Sequence, residues 1–404
     1  MMKAISGKLF YRGEIIEAGI EIEDGRIKKI DKKIEGEKVE GLILPAGIDV
    51  HVHFRDFDER EKETIETGSL SALYGGICLV VDQPNTRPVI DNPETYFKRM
   101  EIAEKDSYID YFLNIALTNS NADRIIDYIK EIEEKYRIPA IGEVFLQHDD
   151  ENMQIGFDAI KTLRDATSKL ITVHAEQPEL VKGLGHELRP PEAEIKAVEN
   201  CLKLGNFHFC HISTYDSAMK ISDSDSTFEV APHHFILNYE DYFKPGFMNV
   251  NPPLRSKVEA ELMFNSLPVA DMIASDHAPH TIEDKKHGKP GFPGVETTYP
   301  LLVSMMKKGL VSVRRVVDLI AVNPARIFGF EGYGAIEVGN YANLAVFNLK
   351  RVRKIKAEKL HTKAEWTPYE NFEAIFPERV YLKGELAVDN LELLVEKGSN
   401  ANPD

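Results

Sequence analysis

The sequence predicts an α/β protein, a (β/α)8 barrel of the TIM type beside a small β-sandwich-like domain built from both termini. Three observations carry this expectation. Eight short apolar runs rich in β-branched residues recur through the middle of the 404-residue chain. Charged segments with a helical period separate most of them. The text at both ends reads as strands instead. A hydrophobic content of 43% is enough for a large core.

Residues 1–44 open the β domain. "GKLFYRGEIIEAGIEIEDGRIKKI" alternates apolar and polar residues, and "EDGR" is a hairpin signal. The eight runs then follow within 45–335: "LILPAGIDVHVHF", "GICLVVDQPN", "YIDYFLNIALT", "PAIGEVFLQ", "KLITVHAEQ", "FHFCHIST", "TFEVAPHHF" and "MIASDHAPH". Strands buried on both faces have this near-continuous apolar character. Helical stretches such as "NADRIIDYIKEIEEKYR" and "PEAEIKAVENCLKLG" lie between them, so the pattern is that of βα units and a parallel sheet. Eight units fit a closed barrel. An open doubly wound sheet is the alternative, weakened by the lack of a GxGxxG after the first strand. Residues 336–404 return to strands in "GNYANLAVFNL" and "ERVYLKGELAVD", completing the β domain, and "EKGSNANPD" is expected to fray.

With 49 Lys and Arg against 66 Asp and Glu, the formal charge is −17, which disfavours nucleic acid and anionic membranes as partners. No stretch approaches the ~20 apolar residues of a membrane span, and the first residues carry no signal-peptide pattern. Cys78, Cys201 and Cys210 have no CxxC spacing and read as reduced thiols of a cytoplasmic protein. A small-molecule substrate is the expected partner.

Most runs become polar at their C-terminal ends. The first ends in His51, His53 and Arg55, and the second in Asp82, Gln83, Pro84 and Asn85. The fourth carries Glu143. The later ones end in His174 and Glu176, in His211, in His233 and His234, and in Asp276, His277 and His280. In a barrel those ends converge on one face, where active sites lie. Eight of the 13 histidines sit there. His51 and His53, two apart on a strand, point to the same side and can share one metal. An HxH pair alone is common on ordinary strands; further histidines and a lone aspartate at later strand ends turn it into a metal site. Imidazole and carboxylate donors suit Zn2+, with Mn2+, Co2+ or Fe2+ as other occupants, and the absence of cysteine fits a catalytic site.

The motifs "PAGIDVHVHFRD", "QPNT", "HAE", "HIST", "PHHF", "NPPLR" and "ASDHAPH" closely resemble those of the dihydroorotases in the amidohydrolase superfamily. The resemblance runs in order from about Leu44 to about Phe376 and includes "NPARIFG", "YANLAVF" and "WTPYEN". It implies metal-dependent, reversible cyclisation of N-carbamoyl-L-aspartate to L-dihydroorotate in pyrimidine (UMP) biosynthesis. His51, His53 and Asp276 would hold one zinc ion, and His174 and His211 a second. A metal-activated hydroxide would attack the ring amide, with Asp276 as general base and then general acid. Arg55, Asn85 and His280 would bind the substrate carboxylate. His53, Asn251, Pro290 and Gly291 match further substrate contacts. His233 and His234 are read as packing or supporting residues, and Arg255 as a structural ion pair or a substrate contact.

The sequence departs from the family in two places. Glu143 stands where many two-metal relatives carry a carboxylated lysine. It could bridge the metals unmodified; Asp149 and Asp150 are rivals, and a single tightly held metal is a third arrangement. After "HVHFRD" the usual Pro-Gly is replaced by "FDER". The segment 281–293 is either a mobile lid or an ordinary βα loop. Two other functions stand beside dihydroorotase: a hydantoinase, dihydropyrimidinase or allantoinase, whose substrates lack the carboxylate that Arg55 suits, and a catalytically dead scaffold. Association with further copies or with aspartate carbamoyltransferase is open.

Overall fold

The computed structural model describes residues 3–398 except 243 and 245, so the end of the tail, 399–404, lies outside it. The N-terminal strands are β1 (Lys3–Tyr11), β2 (Glu14–Glu23), β3 (Arg26–Asp31) and β4 (Glu37–Pro45). Both hairpins turn on two residues at positive φ, Arg12 (50°) and Gly13 (89°), then Asp24 (50°) and Gly25 (76°). Such turns match the twist of the strands they join.

Eight parallel strands follow: β5 (Gly47–Val52), β6 (Ile77–Asp82), β7 (Asp110–Leu113), β8 (Ile141–Phe145), β9 (Ile171–His174), β10 (His208–Phe209), β11 (Thr227–Val230) and β12 (Met272–Ile273). They form a three-stranded sheet in the order β5-β6-β7 and a five-stranded sheet in the order β12-β11-β10-β9-β8. Isolated parallel bridges, Ile115↔Ile141 and Val52↔His277, span the gaps between the two sheets. The two-residue length of β10 and β12 reflects how soon the chain leaves extended geometry. His211 and Asp276 adopt φ of 33° and 47° just past these strands.

The chain then supplies β13 (Leu344–Phe347), β14 (Arg353–Lys354), β15 (Glu373–Ala374), β16 (Pro377–Leu382), β17 (Glu385–Asp389) and β18 (Glu392–Leu393). β13 pairs antiparallel with β4, Leu344 opposite Pro45 and Phe347 opposite Leu42. This joins the termini in one eight-stranded sheet, β18-β17-β16-β13-β4-β1-β2-β3. The expected sandwich-like domain is thus one hydrogen-bonded sheet, because β4 and β13 lie side by side in it. Alternate residues serve two cores. Ile43, Leu344 and Val346 pack with Ile5, Leu9 and Ile20, whereas Leu42, Leu44 and Ala345 face the core of the parallel strands. Among the described residues, no helix is long and apolar enough to cross a membrane.

A buried polar cluster fastens this sheet to the parallel strands. Asp110, at the start of β7, accepts hydrogen bonds from Tyr333 Oη at 2.7 Å and from Lys383 Nζ at 2.9 Å. Lys383 lies in the turn between β16 and β17. Burial pushes the Asp110 carboxyl up, against the pull of Lys383. Lys383→Met strips a buried carboxylate of its cation and is expected to destabilise the fold by about 1–3 kcal/mol. Urea unfolding would register this as a lower midpoint at an unchanged slope.

Candidate active site

The C-terminal ends of the parallel strands bring four imidazoles and four carboxylates together. His51 Nε2 lies 3.4 Å from Glu143 Oε2 and 3.7 Å from Asp276 Oδ1. His53 Nε2 lies 3.3 Å from Asp276 Oδ1. The other oxygen of Glu143 is 3.1 Å from His174 Nδ1 and 2.7 Å from His211 Nε2. One carboxylate therefore touches both halves of the cluster. The groups His51–His53–Glu143, His51–His211–Asp276 and Glu143–His174–His211 each have ligand atoms within 4.8 Å of one another. Asp149 and Asp150 are exposed at the cavity rim and belong to no such group among the described residues.

A β-bulge delivers Glu143. In the β8–β9 ladder Ile141 pairs with Ile171, but Val144 pairs with Val173, so β8 carries one extra residue. Such insertions re-aim side chains. Gly142 makes this bulge possible. It has φ 134°, and a Cβ there would lie 2.3 Å from Thr172 Oγ1 and 2.5 Å from the Thr172 carbonyl oxygen.

Two acids absent from the sequence-derived site orient the histidines. Glu229 in β11 takes His51 Nδ1 at 2.5 Å, His208 Nε2 at 3.1 Å and the His211 backbone N–H at 3.3 Å. Glu176 takes His174 Nε2 at 3.0 Å and Arg189 Nη1 at 2.5 Å. Pairing the outward nitrogen fixes which one faces the cluster, as around metal-ligating histidines generally. A glutamate inside the apolar run "TFEV" was the available signal, since a buried charge needs a partner.

The electrostatics fit a divalent cation. Burial alone would raise Glu143, but His51 and hydrogen bonds from His174 and His211 hold it well below the carboxylate range. Burial opposes ionisation of Glu229 too, yet His51 and His208 bring it to about 2. Asp276 is likewise depressed despite burial, by His53 and then by His211 and His51. Burial would lower His51 and His174, but neighbouring carboxylates hold His51 well above its ordinary value and His174 at about 9. Protons on imidazole thus supply the positive charge that the carboxylates demand. His51 Nε2, fully buried and facing Glu143 and Asp276, has no well-formed hydrogen bond among the described residues. Nitrogen and oxygen donors of this kind suit zinc.

Beside the cluster lies a cavity of about 340 Å3. Every residue of the sequence-derived site lines it except His51, which is buried beneath. Arg55 is buried, with Nε donating to the Pro279 carbonyl at 3.3 Å and Nη2 3.3 Å from His280 Nε2. No carboxylate among the described residues lies within 4 Å of it. Asn85 Oδ1 is 2.8 Å from His53 Nδ1, and Asn251 Oδ1 is 2.8 Å from His186 Nδ1. His186 and Arg189 also line the cavity and were not foreseen.

In place of Pro-Gly, the loop after β5 takes positive φ at Arg55 (51°), Asp56 (55°) and Phe57 (47°). Such backbone needs support from its surroundings. Arg99 supplies it, donating to the Arg55 carbonyl at 2.6 Å and to Asp82 Oδ2 at 2.5 Å, while Asp82 Oδ1 accepts the Phe54 N–H at 2.9 Å. His233 is buried with neither ring nitrogen hydrogen-bonded among the described residues, and His234 reaches the Pro252 carbonyl at 3.0 Å. Arg255 braces the Arg189 carbonyl and Ser213 from outside the cavity.

A model of the amidohydrolase family matches residues 42–386, and the chain belongs to that family. Within it the sequence stands with the dihydroorotases. The dihydroorotase of Archaeoglobus fulgidus is 57% identical over 390 residues, 96% of this chain and 97% of that relative. The dihydroorotase of Pyrococcus abyssi is 37% identical, covering 98% of this chain and 96% of its own. Among solved structures, the L-hydantoinase (dihydropyrimidinase) of Arthrobacter aurescens superposes with a TM-score of 0.90 at 23% identity, over 98% of both chains. The dihydropyrimidinase of Brevibacillus agri gives 0.89 at 22% identity, over 99% of this chain and 98% of its own. At that identity the structural likeness establishes the fold alone.

Two outcomes follow from this geometry. Gly142→Ala is expected to displace Glu143 and lower the bound metal per chain, measured by elemental analysis, while circular dichroism still shows a folded protein. Zinc added to metal-free protein near neutral pH should displace protons, because a histidine held at about 9 must lose its proton to ligate. Calorimetry in buffers of different ionisation enthalpy would count them. Without metal, the stability His174 contributes is complete below its unfolded value of about 6.5 and is lost as pH rises through about 9.

Proposed function

We propose that the protein is a dihydroorotase, catalysing the reversible closure of N-carbamoyl-L-aspartate to L-dihydroorotate in pyrimidine biosynthesis. The observation that carries this reading is the buried guanidinium of Arg55, free of any carboxylate within 4 Å among the described residues and opening on the same cavity as the metal-ligand cluster. A cyclic amide with a carboxylate outside the reacting bond answers both features. Dihydroorotate is such a molecule, and the archaeal relatives are named for it.

Two zinc ions are the cofactor we assign. His51, His53 and Asp276 would hold one, His174 and His211 the other, and Glu143 would span both. Bound there, they would supply Lewis-acid charge and a more acidic water. The chain's own residues do the rest. Arg55 binds the substrate carboxylate, with Asn85 and His280 beside it. Burial and the neighbouring Arg55 keep His280 neutral, so it adds a hydrogen bond without a second positive charge. His53, Asn251, Pro290 and Gly291 wall the ring. Asp276 is held ionised by its histidine neighbours, the form that accepts a proton, and it returns that proton to the ring nitrogen.

We read the eight parallel strands as one (β/α)8 barrel spanning 45–335, with 1–44 and 336–404 forming the β domain. The bridges at both gaps support closure. Three buried, unpaired cysteines support a cytoplasmic enzyme. The fold neighbours make a hydantoinase the second reading, but a hydantoin ring offers no carboxylate to Arg55.

The test is metal analysis of the purified protein with turnover assays in both directions. Activity on dihydroorotate and carbamoyl-aspartate is expected; cleavage of hydantoin or dihydrouracil alone would overturn the substrate assignment. Arg55→Met should raise KM for dihydroorotate about 10²-fold, the scale of a lost bidentate charge pair, with metal content unchanged.

A further inference from the structure

Lys285 lies in the short helix Ile282–Lys286, and its side chain is fully buried. A buried ammonium is expensive unless it is satisfied, and no carboxylate among the described residues lies within 4 Å of this one. Its three protons go to backbone carbonyls instead: Asn249 at 2.9 Å, Lys289 at 2.7 Å and Gly291 at 3.0 Å. The rings of Phe292 and Trp366 both stand 5.2 Å from Nζ.

The three carbonyls belong to two separate stretches of the cavity wall. Lys289 and Gly291 flank Pro290 in the loop that begins at His280, and Asn249 lies two residues before Asn251. Gly291 N–H also donates to the Asn249 carbonyl at 3.0 Å, and Trp366 Nε1 donates to the His280 carbonyl at 2.8 Å. The wall is tight at this point. A Cβ on Gly291 would lie 2.5 Å from the Ala278 carbonyl oxygen.

We propose that Lys285 is a positioning residue for substrate recognition, its ammonium clamping the loop of His280, Pro290 and Gly291 to the segment of Asn251. Packing against Phe292 and Trp366 alone would be served by an unbranched apolar side chain such as that of methionine. The charge is there because three carbonyls of a substrate wall must be gathered at one point. The segment 281–293 is thereby anchored to the wall through its middle. The inference rests on the cavity being the substrate site.

Lys285→Met keeps an unbranched stem one atom shorter and removes the donors; Lys285→Gln has the same reach as Met and keeps two N–H donors. The expected result is a KM for dihydroorotate raised about tenfold in the Met variant and less in the Gln variant, the scale of a lost charged hydrogen bond. Turnover number and metal content should stay near those of the parent. An unchanged KM in folded Lys285→Met would overturn the proposal. So would a parallel fall of kcat and metal content, or failure of both variants to fold, since each marks a merely structural lysine. If the parent enzyme cleaves hydantoin and not dihydroorotate, the substrate assignment fails, and the same KM comparison on hydantoin still decides the role of Lys285.

Discussion

The Glu143 carboxylate sits where the charges of the site meet, with one oxygen toward His51 and the other toward His174 and His211. Four imidazoles and four carboxylates could not be buried side by side unless each charge were answered. The rest of the architecture serves that balance. The end of β5 presents His51 and, just past it, His53, β8 inserts a residue to turn Glu143 inward, and β11 places Glu229 behind His51 and His211. The outward nitrogens of His51 and His174 are already paired, so a divalent cation in place of protons would leave this frame as it stands.

The backbone departs from regular geometry where the strands hand over to the site. Arg55, His211 and Asp276 all have positive φ although none is glycine. Such conformations persist only when their surroundings over-determine them. For Arg55 the surroundings are explicit: Arg99, Asp82 and Tyr111 form a fully buried network that holds the flanking backbone. For His211 the partner is Glu229, which accepts its N–H. Glu229 therefore both orients His51 and holds the backbone of His211, so orientation and stability are coupled at that strand end.

Much of this was legible in the sequence because it rests on local periodicity. The spacing of His51 and His53, the polar ends of apolar runs and the alternating strands near both termini are patterns of period two or of position. The missed features depend on contacts between distant segments. Glu229 meets His51 across 178 residues, and Lys285 reaches Asn249 across 36. No local pattern encodes such a pairing; only an acid or lysine in an apolar setting hints at it. The bulge at Gly142 was hidden for another reason. A glycine in an apolar strand reads as a weak strand residue, and its close approach to Thr172 exists only once β9 is in place. The alternation marked strands at both termini but did not say which are neighbours, so the pairing of β4 with β13 in one eight-stranded sheet was not legible.

The net charge of −17 raises the question of how such a chain gathers an anionic substrate. At physiological ionic strength the field of a charge decays over about 8 Å, so what a carboxylate meets at the cavity is set by the nearest side chains. Lys62 and Arg189 line the cavity but are neutralised by Glu59 at 2.7 Å and Glu176 at 2.5 Å. Arg55, Arg87 and Lys289 also line it and have no ion-pair partner within 4 Å among the described residues. Three unpaired cations therefore face the cavity of an acidic protein, and only Arg55 is buried. Arg87 and Lys289 are exposed at the cavity, whereas Arg55 is withdrawn from water. In general, exposed charges speed the approach of an anion and a desolvated charge gives the stronger contact.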